Sequence, residues 1–146
     1  MRARSGADDG YVISAERGRM DLAAIHAYLT RSYWSPGVSF ETVAKSIENS
    51  LPFGAFHGGE QVGFARVITD RCTFAYLADV YVLEAHRGRG LSKRLMAAVG
   101  AHPDLQGLRR FMLLTRDAHG LYRQFGFVPA AQPERLMEIV RAAPAP

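Results

Sequence analysis

Residues Asp79 to Arg94 read DVYVLEAHRGRGLSKR, and the rest of the chain can be read outward from them. Val80-Tyr81-Val82-Leu83 has the β-branched and aromatic character of a strand. Glu84 to His86 form a connector, Arg87-Gly88-Arg89-Gly90 a turn, and Leu91 opens a helix. Gly88 and Gly90 take φ > 0 without steric penalty and let backbone come close to a ligand. A helix starting near Gly90 directs its unpaired N–H groups and the positive end of its dipole into that turn. Arg87 and Arg89 add charge, so the stretch suits a phosphorylated ligand, with a diphosphate as the natural guest.

Two phosphate motifs do not fit. A Walker A loop needs GxxxxGK followed by Ser or Thr, whereas Ser92-Lys93 here follows Leu91 rather than a correctly placed glycine. A dinucleotide fingerprint needs GxGxxG, but Gly88-x-Gly90 arrives at Lys93, and no acidic ribose partner stands at the expected distance beyond it. Arg87-x-x-Gly90-x-Ser92 does fit a third pattern. It resembles the R/Q-x-x-G-x-G/A acetyl-CoA signature of the GNAT superfamily of N-acetyltransferases. Ser92 departs from that pattern, yet it is small enough to keep the helix near a pyrophosphate, and its hydroxyl can donate to one. A second segment, Leu121-Tyr122-Arg123-Gln124-Phe125-Gly126-Phe127, resembles the family's LYxxxGF. The two matches fall in the family's order, separated by a helix and a strand.

Composition agrees with one globular domain over 1–146. The chain has 146 residues, 48% hydrophobic and 22% charged, enough for a sizeable core. There is no run of about 18 apolar residues to span a membrane, and MRARSGADDG lacks the apolar centre of a signal peptide. The cytoplasm is the expected compartment. The single Cys72 allows no internal disulfide and no cysteine-rich zinc site; it reads as a small buried hydrophobe or a turn residue. A net charge of +4 and a pI near 9.6 are compatible with a nucleic-acid surface. The basic residues are spread out, however, apart from the phosphate turn and Arg109-Arg110, so neither nucleic acid nor membrane is the expected partner.

In chain order, residues 1–10 and 142–146 are expected to be disordered. A strand is expected at Tyr11 to Ala15 and a helix at Met20 to Tyr33, with Leu22, Ile25 and Leu29 at helical spacing and Asp21 in its first turn. A second helix follows from Ser39 to Ile47, with Ser39 as N-cap and Thr42 leaving the capping box incomplete. The aromatic trio Tyr33, Trp34 and Phe40 flanks the break between them, either as a core plug or as part of an acceptor-binding wall. Phe53 to His57 and Gln61 to Thr69 form a hairpin about Gly58-Gly59. Thr73 to Leu83 is a longer strand, and Leu91, Leu95 and Val99 stripe the next helix, which ends before Pro103. Leu108 to Leu114 is a strand and Ala118 to Phe125 a short helix with Asp117 as N-cap. Phe127 to Val128 and Leu136 to Val140 read as two final strands.

This order resembles the GNAT acyl-CoA N-acyltransferase fold over nearly the entire chain. The implied architecture is α/β (α+β), a mixed and mostly antiparallel sheet of six or seven strands with about four helices. In that family two neighbouring strands splay apart, and the pantetheine arm of acetyl-CoA pairs with the exposed backbone like an added strand. Here the resemblance assigns that role to Val80, Tyr81 and Val82, with the Val82 N–H polarising the thioester carbonyl. It assigns the pyrophosphate to Arg87, Gly88, Arg89, Gly90, Leu91, Ser92 and Lys93. No metal is implied.

The same resemblance makes Tyr122 the acid that protonates the CoA thiolate. The base is open. Asp79 stands on the strand leading to the turn, but alternation puts it opposite Val80 and Val82 unless a bulge intervenes. His119 lies one helical turn before Tyr122; loss of the proton through water is an equal alternative. Asp117 sits roughly where the family carries Asn in NxxAxxLY, two residues too close to Tyr122, so its capping role is the safer one beside a cofactor contact. The implied activity is acetyl transfer from acetyl-CoA to a primary amine of a small molecule or protein. The alternative is a non-catalytic acetyl-CoA sensor, and an RG-rich RNA-binding segment is a poor third. Homodimers are common among relatives of this family, and nothing in the sequence fixes one.

Overall fold

The computed structural model describes residues 9–142. Five strands form one sheet in the order β1-β2-β3-β4-β5: β1 (Tyr11–Ser14), β2 (Leu51–His57), β3 (Glu60–Thr69), β4 (Phe74–Val82) and β5 (Arg110–Leu113). The first four pair antiparallel, and β5 pairs parallel to β4. Four α-helices complete the described chain: α1 (Leu22–Leu29), α2 (Phe40–Glu48), α3 (Leu91–Ala101) and α4 (His119–Arg123). The mixed sheet and four helices match the expected class, with fewer strands.

The sheet separates two cores. On one face α3 sets Leu91, Leu95, Met96 and Val99 against Phe53, Val62, Val67 and Leu77, and Tyr122 of α4 joins them. On the other, Ile25 and Leu29 of α1 and Val43 and Ile47 of α2 cover Phe56, Phe64 and Tyr81. Phe53 and Phe64 are almost completely buried, and each such side chain contributes about 1.5–3 kcal/mol by leaving water.

Local chemistry sets the helix ends. Ser39 caps α2 by accepting from the Thr42 N–H at 3.1 Å, while its hydroxyl donates to Thr42 Oγ1 at 3.0 Å. The first helix is shorter than its apolar spacing suggests. Asp21 is its N-cap, accepting from the Ala24 N–H at 3.0 Å, and not a first-turn residue. After Leu29 the bonding tightens, with Ser32 N–H donating to Leu29 C=O and Gly37 N–H to Thr30 C=O. Residues 30–37 therefore form a turn-rich loop, and Tyr33 and Trp34 emerge on it.

Further expectations are corrected. Ala118, not Asp117, is the N-cap of α4; Thr115 Oγ1 accepts the Ala118 N–H at 3.0 Å instead. Neither Phe127 to Val128 nor Leu136 to Val140 forms a strand. Both have apolar content, but no backbone ladder reaches them, and sheet structure depends on cross-strand partners. Asp9 and Gly10, expected to be disordered, lead into β1, with Asp9 Oδ1 accepting from the Tyr11 N–H at 2.9 Å; residues 1–8 and 143–146 of that expectation lie outside the described residues. Cys72 is exposed in the β3–β4 turn, where its thiol donates to Asp70. That bond, then desolvation and the Asp70 charge, raises the thiol pKa, which disfavours the thiolate.

Candidate active site

Gly88 and Gly90 have φ of +80° and +75°, and Gly90 is the N-cap of α3. A Cβ built on either meets nothing within 4 Å. The turn is therefore open, and its glycines answer to backbone conformation rather than crowding. A cavity of about 200 Å³ lies here, walled by Val82, Arg87 to Gly88, Gly90 to Lys93 and Leu121. The first N–H groups of α3 have no intrahelical acceptor, so the cavity floor is a donor surface at the positive end of an eleven-residue helix. Arg87 is tied back: Nε donates to Val82 C=O at 2.9 Å and Nη2 to the Tyr28 hydroxyl at 3.2 Å.

Above the turn the sheet opens. β4 and β5 pair only from Phe74↔Arg110 to Leu77↔Leu113, and β4 continues for five residues to Val82. At about 3.3 Å per residue this leaves a slot of roughly 16 Å. Backbone direction at its end follows from the register: Val82 stands opposite Gly63, and Leu83 N–H donates to Val62 C=O at 2.8 Å. Adjacent groups alternate along an antiparallel ladder, so the N–H and C=O of Val82 point away from β3, into the slot.

Asp79 breaks the strand's alternation. Between Ala78↔Arg66 and Tyr81↔Phe64, β4 spends three steps where β3 spends two, and Asp79 has φ of +59°. This is a β-bulge with its extra residue in the left-handed region, where Asp is among the few side chains tolerated. Ala75 and Leu77 face α3 before it, Val80 and Val82 face α3 after it, and Tyr81 turns to the α1–α2 side. Asp79 itself accepts from Trp34 Nε1 at 2.9 Å and from Arg66 Nε at 2.8 Å. Arg66 also donates to Ser50 Oγ at 3.1 Å.

These bonds hold an aromatic rim. Tyr28 stacks on Tyr81 with centroids 3.9 Å apart, Trp34 meets Tyr28 and Tyr33 at 6.3 and 5.1 Å, and the Arg116 guanidinium lies 3.8 Å over the Tyr33 ring. Tyr33 and Trp34 are exposed and do not plug the core. Phe40 is also exposed and packs on His26 away from this rim. The contact of Arg116 with Tyr33 carries the α1–α2 loop across to the β5–α4 connection.

Tyr122 sits behind that contact. Its ring is buried beside Phe127. Its hydroxyl makes no hydrogen bond among the described residues, yet no buried side-chain oxygen or nitrogen there lacks a partner, so the hydroxyl opens to solvent. Burial foremost, then Tyr33 and Asp117, raises the phenol's pKa; at neutral pH it holds its proton. Asp117 is exposed on the same connection, and His119 is exposed at the start of α4.

Sequence reasoning thus brings the turn, Val82 and Tyr122 to one region, and the bulge joins Asp79 to the aromatic rim. It missed Arg66 and Tyr28. A lone arginine between Ala65 and Val67 was the available signal for Arg66; Tyr28 carried none, since its partners are distant in sequence.

A family model described as an acetyltransferase (GNAT) domain matches residues 48–129. A Gibberella zeae protein, provisionally named an acetyltransferase, is 30% identical over 77% of this chain and 75% of its own length. A crystal structure from Xanthomonas campestris pv. campestris, provisionally titled an acetyltransferase of the GNAT family, is 52% identical with a TM-score of 0.87, covering 90% of this chain and 93% of that one. The ribosomal-protein-S18-alanine N-acetyltransferase of Escherichia coli shares the fold, with a TM-score of 0.67 at 24% identity, covering 83% of this chain and 79% of its own. The chain belongs to the GNAT family of acetyltransferases.

Proposed function

We propose that this protein binds acetyl-CoA along the open edge of β4 and transfers the acetyl group to a primary amine of a small molecule or protein. One observation carries the reading: the unpaired end of β4, with Val82 N–H aimed into the slot, runs straight into the glycine turn at the N-terminus of α3. The residues fit that guest. Open space above Gly88 and Gly90 leaves their N–H groups reachable by a pyrophosphate. The roughly 16 Å slot suits an extended arm pairing with Val80 to Val82.

Bound acetyl-CoA supplies the activated acetyl thioester. Val82 N–H donates to the oxygen that gains charge during transfer. Tyr122 keeps its proton at the phenolic oxygen for the departing thiolate, and its raised pKa preserves that proton at neutral pH. Arg89 and Lys93 add positive charge around the phosphates, and Asp117 stands nearby on the β5–α4 connection. Tyr33 and Trp34 wall the acceptor side. With both Asp79 oxygens holding donors, Asp79 positions Trp34, and His119 or water takes the amine's proton. The cleft mouth carries Arg31 over Tyr28 and Arg116 over Tyr33, so polycationic acceptors are disfavoured.

Calorimetric titration with acetyl-CoA, followed by thiol release with a panel of amines, tests the reading. Tyr122→Phe should bind acetyl-CoA like the wild type and turn over about 10²–10⁴-fold more slowly. Binding without transfer to any amine would favour a sensor module; absence of binding would overturn the proposal.

A further inference from the structure

Two arginines stand at the mouth of the cleft with their donors unspent. The Arg116 guanidinium lies 3.8 Å over the Tyr33 ring and that of Arg31 4.7 Å over the Tyr28 ring, and both arginines are exposed. Among the described residues neither guanidinium donates a hydrogen bond or pairs with a carboxylate. Stacking uses the flat face of a guanidinium; its N–H donors lie in the plane and stay available, and the fork is held in place before an anion arrives. The carboxylates nearby are engaged elsewhere. Asp79 accepts from Trp34 and Arg66, and Asp21 accepts from the Ala24 N–H at the start of α1. Asp117 follows Arg116 in the chain and forms no ion pair among the described residues. The fork over Tyr33 is also close to the reaction centre: after burial, Tyr33 is the next cause that raises the Tyr122 pKa.

We propose that the acceptor is a small amine that also carries a carboxylate, of the amino-acid type, and that the stacked Arg116 fork receives the carboxylate while Arg31 adds charge beside it. This rests on the acetyl-transfer reading and names its substrate class. An amino acid brings its own counter-ion to two guanidiniums that have none, and a fork-to-carboxylate contact is both directional and charge-assisted. A plain ammonium brings only like charge. The contact also bears on the proton. A guanidinium beside an amine favours the amine's neutral form, which is the nucleophile, in a site where Asp79 is already held by two donors. The exposed Tyr33 and Trp34 then flank the acceptor's side chain. In the transfer the amine nitrogen bonds to the acetyl carbon and the C–S bond breaks. One amine proton leaves to His119 or water, and the thiolate takes a proton from Tyr122. The product is an N-acetyl amino acid with its carboxylate intact.

Matched acceptors test this. Thiol release from acetyl-CoA is measured with the free amino acids, each set beside the amine left when its carboxylate is removed (phenylalanine with phenethylamine, tyrosine with tyramine, lysine with cadaverine), and with a lysine-containing peptide. The preferred amino acid should exceed its decarboxylated partner by about 10- to 100-fold in kcat/KM, the worth of one charge-assisted contact. Arg116→Gln should raise KM for the amino acid and bring that ratio toward one, and Arg116→Lys should restore part of it. A merely structural Arg116 would change both members of a pair alike. Calorimetric titration with acetyl-CoA separates this proposal from the reading beneath it. If acetyl-CoA does not bind, the acetyl-transfer reading falls and the acceptor class falls with it. If acetyl-CoA binds, and the decarboxylated amines or the peptide are acetylated as well as the amino acids, or no amino acid is acetylated, the acceptor class alone is overturned.

Discussion

Gly90 separates the backbone demand of the phosphate turn from its demand for an anion. At φ of +75° a side chain costs about 1–2 kcal/mol, and since a Cβ there meets nothing within 4 Å, no clash adds to it. Gly90→Ala should therefore lose about 1–2 kcal/mol in denaturant unfolding and still bind CoA. Gly90→Glu carries the same backbone penalty plus a carboxylate at the N-terminus of α3. In the free protein that charge is favourable by about 0.3–1 kcal/mol through the helix dipole. Against a pyrophosphate it is unfavourable: at 4 Å the repulsion is about 1 kcal/mol in water and about 4 at an effective dielectric of 20. The glutamate variant should be the more stable of the two and the weaker binder, by roughly 5- to 1000-fold. Urea unfolding and titration with CoA on both variants read the two quantities separately. Equal CoA affinity in the two would refute placement of the pyrophosphate in this turn.

Arg66→Ala should cost about 1–3 kcal/mol, because the Asp79 carboxylate, largely shielded from water, loses its charged partner. Trp34, the sole tryptophan, should report the loosened loop by fluorescence. Phe64→Ala should lose about 3–5 kcal/mol in chemical unfolding, since its ring is fully buried in the α1–α2 core. Burial foremost raises the phenol pKa values of Tyr81 and Tyr122, so above pH 10 the unfolded chain releases its protons first. Stability should hold below pH 10 and fall as pH rises beyond it; Tyr122→Phe should remove part of that slope in pH-dependent melts.

The phosphate turn was legible because its determinants are local. Gly88, Gly90 and the apolar stripe of α3 state their geometry within a dozen residues, as does Ser39 at the start of α2. The bulge was not legible, because register belongs to a pair of strands and Asp79 shows its departure only against Phe64 and Arg66. Apolar spacing carried the first helix past Leu29, where the bonding had already tightened. At Leu136 to Val140 hydrophobic content suggested a strand, but content does not name the edge that would receive it. Tyr122 was visible by motif, while the Tyr33–Arg116 contact beside it depends on tertiary packing.

The bulge gives β4 a reading frame. A loop absorbs an added residue by changing its path, but one more residue between Asp79 and Val80 would shift everything from Val80 to the glycine turn by one pleat. Val80 and Val82 would then aim at α1 and α2, Tyr81 would leave its stack on Tyr28 for the α3 side, and Val82 N–H would swing back toward β3. Length in this strand is consequently as tightly specified as residue identity. Insertions in functional relatives should spare residues 78–82 and gather in the 58–59 and 70–73 turns.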